Sequence, residues 1–133
     1  MDKKYIKYFE TLEVAGDKIL NSAKYFSGDL GITYNERLSL INKGLTEYRG
    51  SLILLQNVDV PDLVKAEHIK LVNEWNRFIK VTENEFAEIT NNNNKHRLKE
   101  IVIETENTRQ PIIKNIVNVC NLIGDKIEIE LRK

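Results

Sequence analysis

The sequence predicts an all-α fold: a four-helix antiparallel up-and-down bundle, with helices three and four longer than one and two. Three observations predict it. Tyr34, Leu38, Ile41, Leu45, Tyr48, Leu52 and Leu55 recur at alternating steps of four and three with no polar residue in the register, which is the seam of a packed helix. Three further stretches repeat that period. Between them stand short breaks rich in Gly, Asn, Asp and Pro, too short for anything but antiparallel neighbours packed knobs-into-holes, as in a coiled coil.

Length and composition fit one domain over residues 1–133. At this size a chain buries roughly two thirds of its unfolded surface, so a core forms without staples. Twenty basic residues balance twenty acidic ones, which argues against nucleic acid, since a phosphate backbone rewards a basic surface. The single cysteine excludes an internal disulfide and a cysteine-based zinc site, and fits a reducing, cytoplasmic setting. The N-terminus mixes charged and apolar residues and does not read as a signal peptide. The longest aliphatic run, Leu52-Ile53-Leu54-Leu55, is far short of a membrane span. The heavy use of Lys, Ile, Asn and Glu matches an AT-rich bacterial or phage genome.

The first helix is expected over residues 3–26. Its stripe is Tyr5, Tyr8 with Phe9, Leu12, Ala15, Ile19, Ala23 and Phe26. Lys24 suits the negative end of the helix dipole, and Gly28 stands where a left-handed residue ends a helix. Gly16 inside the helix costs up to about 1 kcal/mol against Ala and predicts a close helix approach. The second helix follows a short loop and runs to about residue 55. Thr33 and Glu36 form the capping box that starts it.

Residues 56–60 are the next break. Pro61 fits the first turn of a new helix and disfavours helix just before it, while Asp59 and Asp62 place negative charge at the positive end of the dipole. The third stripe is Val64, His68, Leu71 with Val72, Trp75, Phe78 with Ile79, Thr82, Phe86 and Ile89. Four consecutive asparagines, 91–94, read as a turn, because Asn side chains compete for backbone groups. Glu83, Glu85 and Glu88 before the run, and Lys95, Arg97 and Lys99 after it, sit at the wrong helix ends for the dipole. The third helix is therefore also compatible with running a few residues into the asparagines.

The last helix is expected over residues 95–131, with Leu98, Ile101 and Val102, Thr105, Ile112, Ile116, Val119, Ile123 and Ile127 on one face. Pro111 lies inside it. The register from Leu98 to Ile112 spans two whole heptads, which favours one helix kinked at Pro111 over a break near Gln110. The end, Ile127-Glu128-Ile129-Glu130-Leu131, alternates like a strand, but a lone strand has no partner, so it is assigned to the helix.

Candidate chemistry is sparse, and no catalytic, cofactor-binding or metal-ligating residue is assigned. His68 sits in the third stripe and is expected as a core-edge histidine with a hydrogen bond. His96, in Lys95-His96-Arg97, reads as part of a solvated charged turn. A carboxylate-bridged metal centre needs paired Glu-x-x-His motifs, and neither histidine has a Glu three residues away. His96 with Glu100 is a weak lone pair of ligands. Cys120 reads as a small buried hydrophobe with no basic or histidine neighbour within a turn. Gly50-Ser51 lacks the second glycine of a nucleophile elbow, and Gly28-Asp29-Leu30-Gly31 lacks the lysine of a phosphate loop. Trp75 reads as a core filler. Lys3, Lys4 and Lys7 with Tyr5 and Tyr8 form a small basic-aromatic patch.

Segment 59–94 is net negative by three and segment 95–133 net positive by two, so the two long helices attract each other. At about 1.5 Å per residue the second pair is longer than the first by roughly 10–20 Å, which leaves surface on the helix-three/helix-four hairpin. The expected function is a non-enzymatic helical interaction module that binds a protein partner or a second copy of itself through that hairpin. The alternative is a small-molecule or metal-binding bundle built on His68 and nearby carboxylates. A nucleic-acid role would need the clusters Lys3–Lys7 and Lys95–Lys99 on one face.

Overall fold

The computed structural model describes residues 3–21, 34–92 and 95–132, without the side chains of 34, 37, 89–92, 95–99, 101 and 102. Among them are four α-helices, a 3₁₀ turn and no strand: α1 Lys3–Asn21, α2 Tyr34–Asn57, the turn Asp62–Val64, α3 Lys65–Asn92 and α4 Lys95–Leu131. The helices hold 19, 24, 28 and 37 residues, so the later pair is the longer. Expectations at Lys24, Phe26, Gly28, Thr33 and Asn93-Asn94 lie outside the described residues.

Each helix packs on two neighbours, α1 on α2, α2 on α3, α3 on α4 and α4 back on α1, which closes the ring of a four-helix bundle. Neighbours run antiparallel. Arg49 pairs with Glu83 at 3.1 Å while Leu55 bonds His68, so numbers fall along α2 as they rise along α3. Arg109 reaches Ile19, whereas Gly16 faces Ile116, which gives the same sense for α4 on α1.

The core is the set of stripes. Tyr8, Leu12, Ala15 and Ile19 of α1, Ile41, Leu45, Tyr48 and Leu55 of α2, Leu71, Trp75, Phe78 and Ile79 of α3, and Ile112, Val119 and Ile123 of α4 are buried together with Val64. Burying an aliphatic or aromatic side chain of this size is worth roughly 1.5–3 kcal/mol, and this drives four amphipathic helices into one body. The Tyr48 and Phe78 rings meet edge-on at 4.9 Å between centroids, a favoured aromatic geometry.

Local chemistry sets the joints. Pro61 sits in an extended conformation, φ −59° and ψ 139°, and heads the 3₁₀ turn rather than the α-helix proper. Its ring excludes helical geometry just before it. α3 runs on to Asn92, into the asparagine run. The glutamates that oppose its dipole have lateral partners instead: Glu83 pairs with Arg49 and Glu85 accepts from Thr105. α4 continues through Pro111 and to Leu131, so neither the break near Gln110 nor a terminal strand forms.

The longer pair does not stand bare beyond α2. From the Arg49–Glu83 pair, residues 34–48 extend one way along α2 for roughly 22 Å, and residues 84–92 of α3 run beside them for roughly 14 Å. At that end the accessible surface of the hairpin is its outer side, and at the other end residues 124–132 of α4 are exposed except for the half-buried Ile127.

Candidate functional site

Three polar arrangements stand out against the apolar core. The first ties three helices together. The Tyr8 hydroxyl of α1 reaches across the diagonal of the bundle to His68 Nδ1 of α3 at 2.7 Å. His68 Nε2 lies 2.7 Å from the Leu55 carbonyl of α2. A carbonyl only accepts, so Nε2 carries the proton; Nδ1 then accepts from the Tyr8 hydroxyl, and the ring is neutral. Leu55 is in the last turn of α2, where carbonyls lack intrahelical donors, so His68 caps that helix from its neighbour. Only 6% of His68 is exposed. Burial pushes its pKa below the ordinary value, against the opposing effect of the Leu55 carbonyl. Burial likewise pushes the Tyr8 phenol up, with the nearby Cys120 and Glu67 adding to it.

His68 was expected to make one hydrogen bond at the core edge; it makes two. Both ring nitrogens are committed to the fold, which removes the donor on which a ligand-binding or metal-binding use of His68 would rest. Among the described residues no group of three or more His, Cys, Asp or Glu side chains converges as a metal site. The side chain of His96, and with it the His96/Glu100 pair, lies outside the description. Cys120 is half-buried and a free thiol, its pKa raised by burial, which makes it a weaker nucleophile than an ordinary cysteine. Ser51 is buried. Trp75 is fully buried, and its indole N–H donates to the Tyr48 carbonyl at 3.0 Å. Tyr8 faces the core, so the basic-aromatic patch around Lys3, Lys4 and Lys7 loses half of its aromatic part.

The second arrangement lies toward the asparagine end. Glu85, 2% exposed, accepts from Thr105 Oγ1 at 2.5 Å. One turn along α4, the Arg109 guanidinium makes a two-pronged pair with Glu106, at 2.9 and 2.7 Å, and its third nitrogen donates to the Ile19 carbonyl of α1 at 3.2 Å. The Arg109 contact holds the Glu106 carboxyl below the usual carboxylate range. Thr82 and Thr108 return their hydroxyls to carbonyls of their own helices. Sequence reasoning assigned no role to Glu85 or Arg109, although the four-three register from Leu71 through Trp75, Phe78 and Thr82 lands on Glu85.

The third is a groove of about 780 Å³ on the outer side of the α3–α4 pair. One wall carries Lys70 and Glu74 of α3. The other is an amide-rich face of α4, where Asn107, Gln110, Asn118 and Asn121 recur around Lys114 at steps of three and four. Pro111 and Val117 supply its apolar atoms, and Pro111 has no N–H to give the Asn107 carbonyl of the preceding turn. Asn115 also lines the groove. Its side chain is 8% exposed, and its Nδ2 is buried with no hydrogen-bond partner. Such an atom costs roughly 1–3 kcal/mol, a cost that a bound water or ligand relieves.

The fold and these arrangements define a four-helix bundle with hydrogen-bonded polar groups in its interior and a polar groove on its α3–α4 face. Compared with protein families, curated proteins and solved structures, the chain matches none. No described helix is long and apolar enough to cross a membrane.

Proposed function

We propose that this protein is a non-enzymatic interaction module that holds a protein partner on the outer side of its α3–α4 hairpin. The observation that carries the proposal is the groove there, whose lining includes Asn115 with its buried Nδ2 lacking a partner. A polar group left unpaired in a fold costs stability, and a bound group that pairs it offsets that cost. Val117 of the groove is exposed, and Ile103 stands exposed two heptads before it on α4. Aliphatic side chains flanking a polar cleft fit the mixed character of a transient protein interface. The module is assigned to the cytoplasm, where a single free cysteine is stable as a thiol.

Site-specific photo-crosslinking tests this. A crosslinker placed at Asn118, in the groove, is expected to give a discrete covalent adduct in cells, whereas one at the exposed Ser39 of α2 gives none. Light scattering of the purified protein over a range of concentrations then separates a foreign partner from a second copy. Equal yields from both positions, or no adduct from Asn118, would remove the proposal.

A further inference from the structure

We infer that the α3–α4 groove takes an extended polypeptide segment and reads it through its main chain; this rests on the interaction role above and specifies its partner. Asn107, Gln110, Asn115, Asn118 and Asn121 all line the groove. Each primary amide carries a donor and an acceptor side by side, the complement of a peptide group's carbonyl and N–H. A lysine or a carboxylate presents one polarity only. Five amides on one wall therefore match a chain of alternating main-chain donors and acceptors better than they match an ion.

Lengths agree. From Asn107 to Asn121 the helix rises roughly 21 Å. An extended segment advances about 3.3 Å per residue, so six or seven residues fill the groove. Asn115, whose buried Nδ2 has no acceptor within the fold, lines the same groove. Other occupants fit less well. A helical segment would dock by rows of apolar anchors, yet the groove offers only Pro111 and Val117. No aromatic ring lines it to stack a sugar or a base. Lys70 and Lys114 against Glu74 leave a single net positive charge, too little to hold a phosphate backbone.

The test uses the full chain and a library of N-acetylated, C-amidated heptapeptides with randomised side chains. Retained peptides are measured by fluorescence polarisation against the wild type, Asn115→Leu and Asn118→Ala. Each is then resynthesised with N-methyl groups on alternate residues. We expect both substitutions to weaken binding tenfold or more, and N-methylation to weaken it at least as much with the side chains unchanged. Asn118 is on the surface, so that variant keeps the fold, and thermal melts check that Asn115→Leu folds. Binding insensitive to both substitutions, or to N-methylation, overturns main-chain recognition in the groove. If no heptapeptide is retained while the Asn118 crosslink still forms, the extended-segment inference fails alone and a folded partner remains; if the crosslink also fails, the interaction role falls with it.

Discussion

Tyr8 and His68 stand on helices diagonally opposed in the bundle, yet the tyrosine hydroxyl donates to the imidazole Nδ1 at 2.7 Å. The same ring donates from Nε2 to the Leu55 carbonyl. One side chain therefore fixes the relative height of three helices. Greasy contacts alone tolerate sliding along a seam by a turn; a buried donor facing a buried acceptor does not. Trp75 to the Tyr48 carbonyl and Arg109 to the Ile19 carbonyl repeat the device at other levels. Tyr8→Phe should thus cost roughly 1–3 kcal/mol, the penalty for a buried acceptor left unmade. Urea melts of the two proteins measure it, and equal midpoints would show that water replaces the hydroxyl.

The same pair makes stability depend on pH. Burial holds the folded pKa of His68 below the unfolded value near 6.5. The unfolded chain therefore binds a proton more readily than the folded one. The His68 contribution is complete above about pH 6.5 and is lost as pH falls from there through the lowered folded value. The Glu106 carboxyl, whose folded pKa is also depressed, keeps its full contribution over this range and loses it only at lower pH, through and below the ordinary carboxylate range. Unfolding midpoints measured at about pH 7.5 and about pH 5.5 should therefore fall for the wild type and stay nearly level for His68→Gln. A parallel fall in both proteins would assign the effect elsewhere.

The apolar plan of the bundle was legible in the sequence, because burial on a helix has a period that residues display directly. Every described member of the expected stripes is buried or half-buried, Leu38 and Leu52 among the latter. Leu45→Ala should accordingly cost about 2–5 kcal/mol, since Leu45 is 3% exposed in the centre of α2. The polar interior was harder to read. Glu85, Arg109 and Asn115 fall on or beside the same registers, but local sequence does not say whether a polar residue there turns inward, because the partner that permits it is on another helix. Glu85 needs Thr105 and Arg109 needs the Ile19 carbonyl, and both are long-range facts. The groove was not legible either, since it depends on how α3 and α4 lie against each other.

Glycine supplies a contrast. Gly16 is buried and suggested a contact too tight for a side chain. A β-carbon placed there would meet only Ile116 Cδ1 at 3.8 Å, an ordinary contact, and at Gly50 and Gly124 it would meet nothing within 4 Å. All three sit inside helices, where glycine costs up to about 1 kcal/mol relative to alanine. Gly16→Ala, Gly50→Ala and Gly124→Ala should each raise stability by roughly 0.5–1 kcal/mol, nearly additively between the distant sites. A loss at position 16 alone would mean that Ile116 cannot give way there.

Glu85 and Thr105 join the long helices toward the asparagine end by a buried side-chain hydrogen bond. Thr105→Val keeps the shape and deletes the donor. It should destabilise the protein by about 1–3 kcal/mol, because Glu85 loses a donor in a site that water barely reaches. The same melts on Glu85→Gln and on the double variant complete the comparison. A double-mutant cycle reads the coupling directly, and a coupling near zero would mean that the bond adds nothing to the fold.

Arg109 tests whether shape or charge matters in this polar layer. Its guanidinium spends two nitrogens on Glu106 and a third on the Ile19 carbonyl, and the residue is 8% exposed. A lysine ammonium carries the same charge on a single nitrogen and cannot span those partners from one position. Arg109→Lys should therefore lose most of what Arg109→Met loses, rather than little. Removing one partner of a largely buried ion pair leaves the other poorly solvated, but Glu106 is partly exposed, so its carboxylate recovers water and the loss stays at the lower end, about 1–2 kcal/mol. Hydrogen exchange of the amides around Ile19 should quicken in both variants, since the α1 backbone loses its tie to α4. Full retention of stability and protection in Arg109→Lys would show that the charge alone is what the site requires.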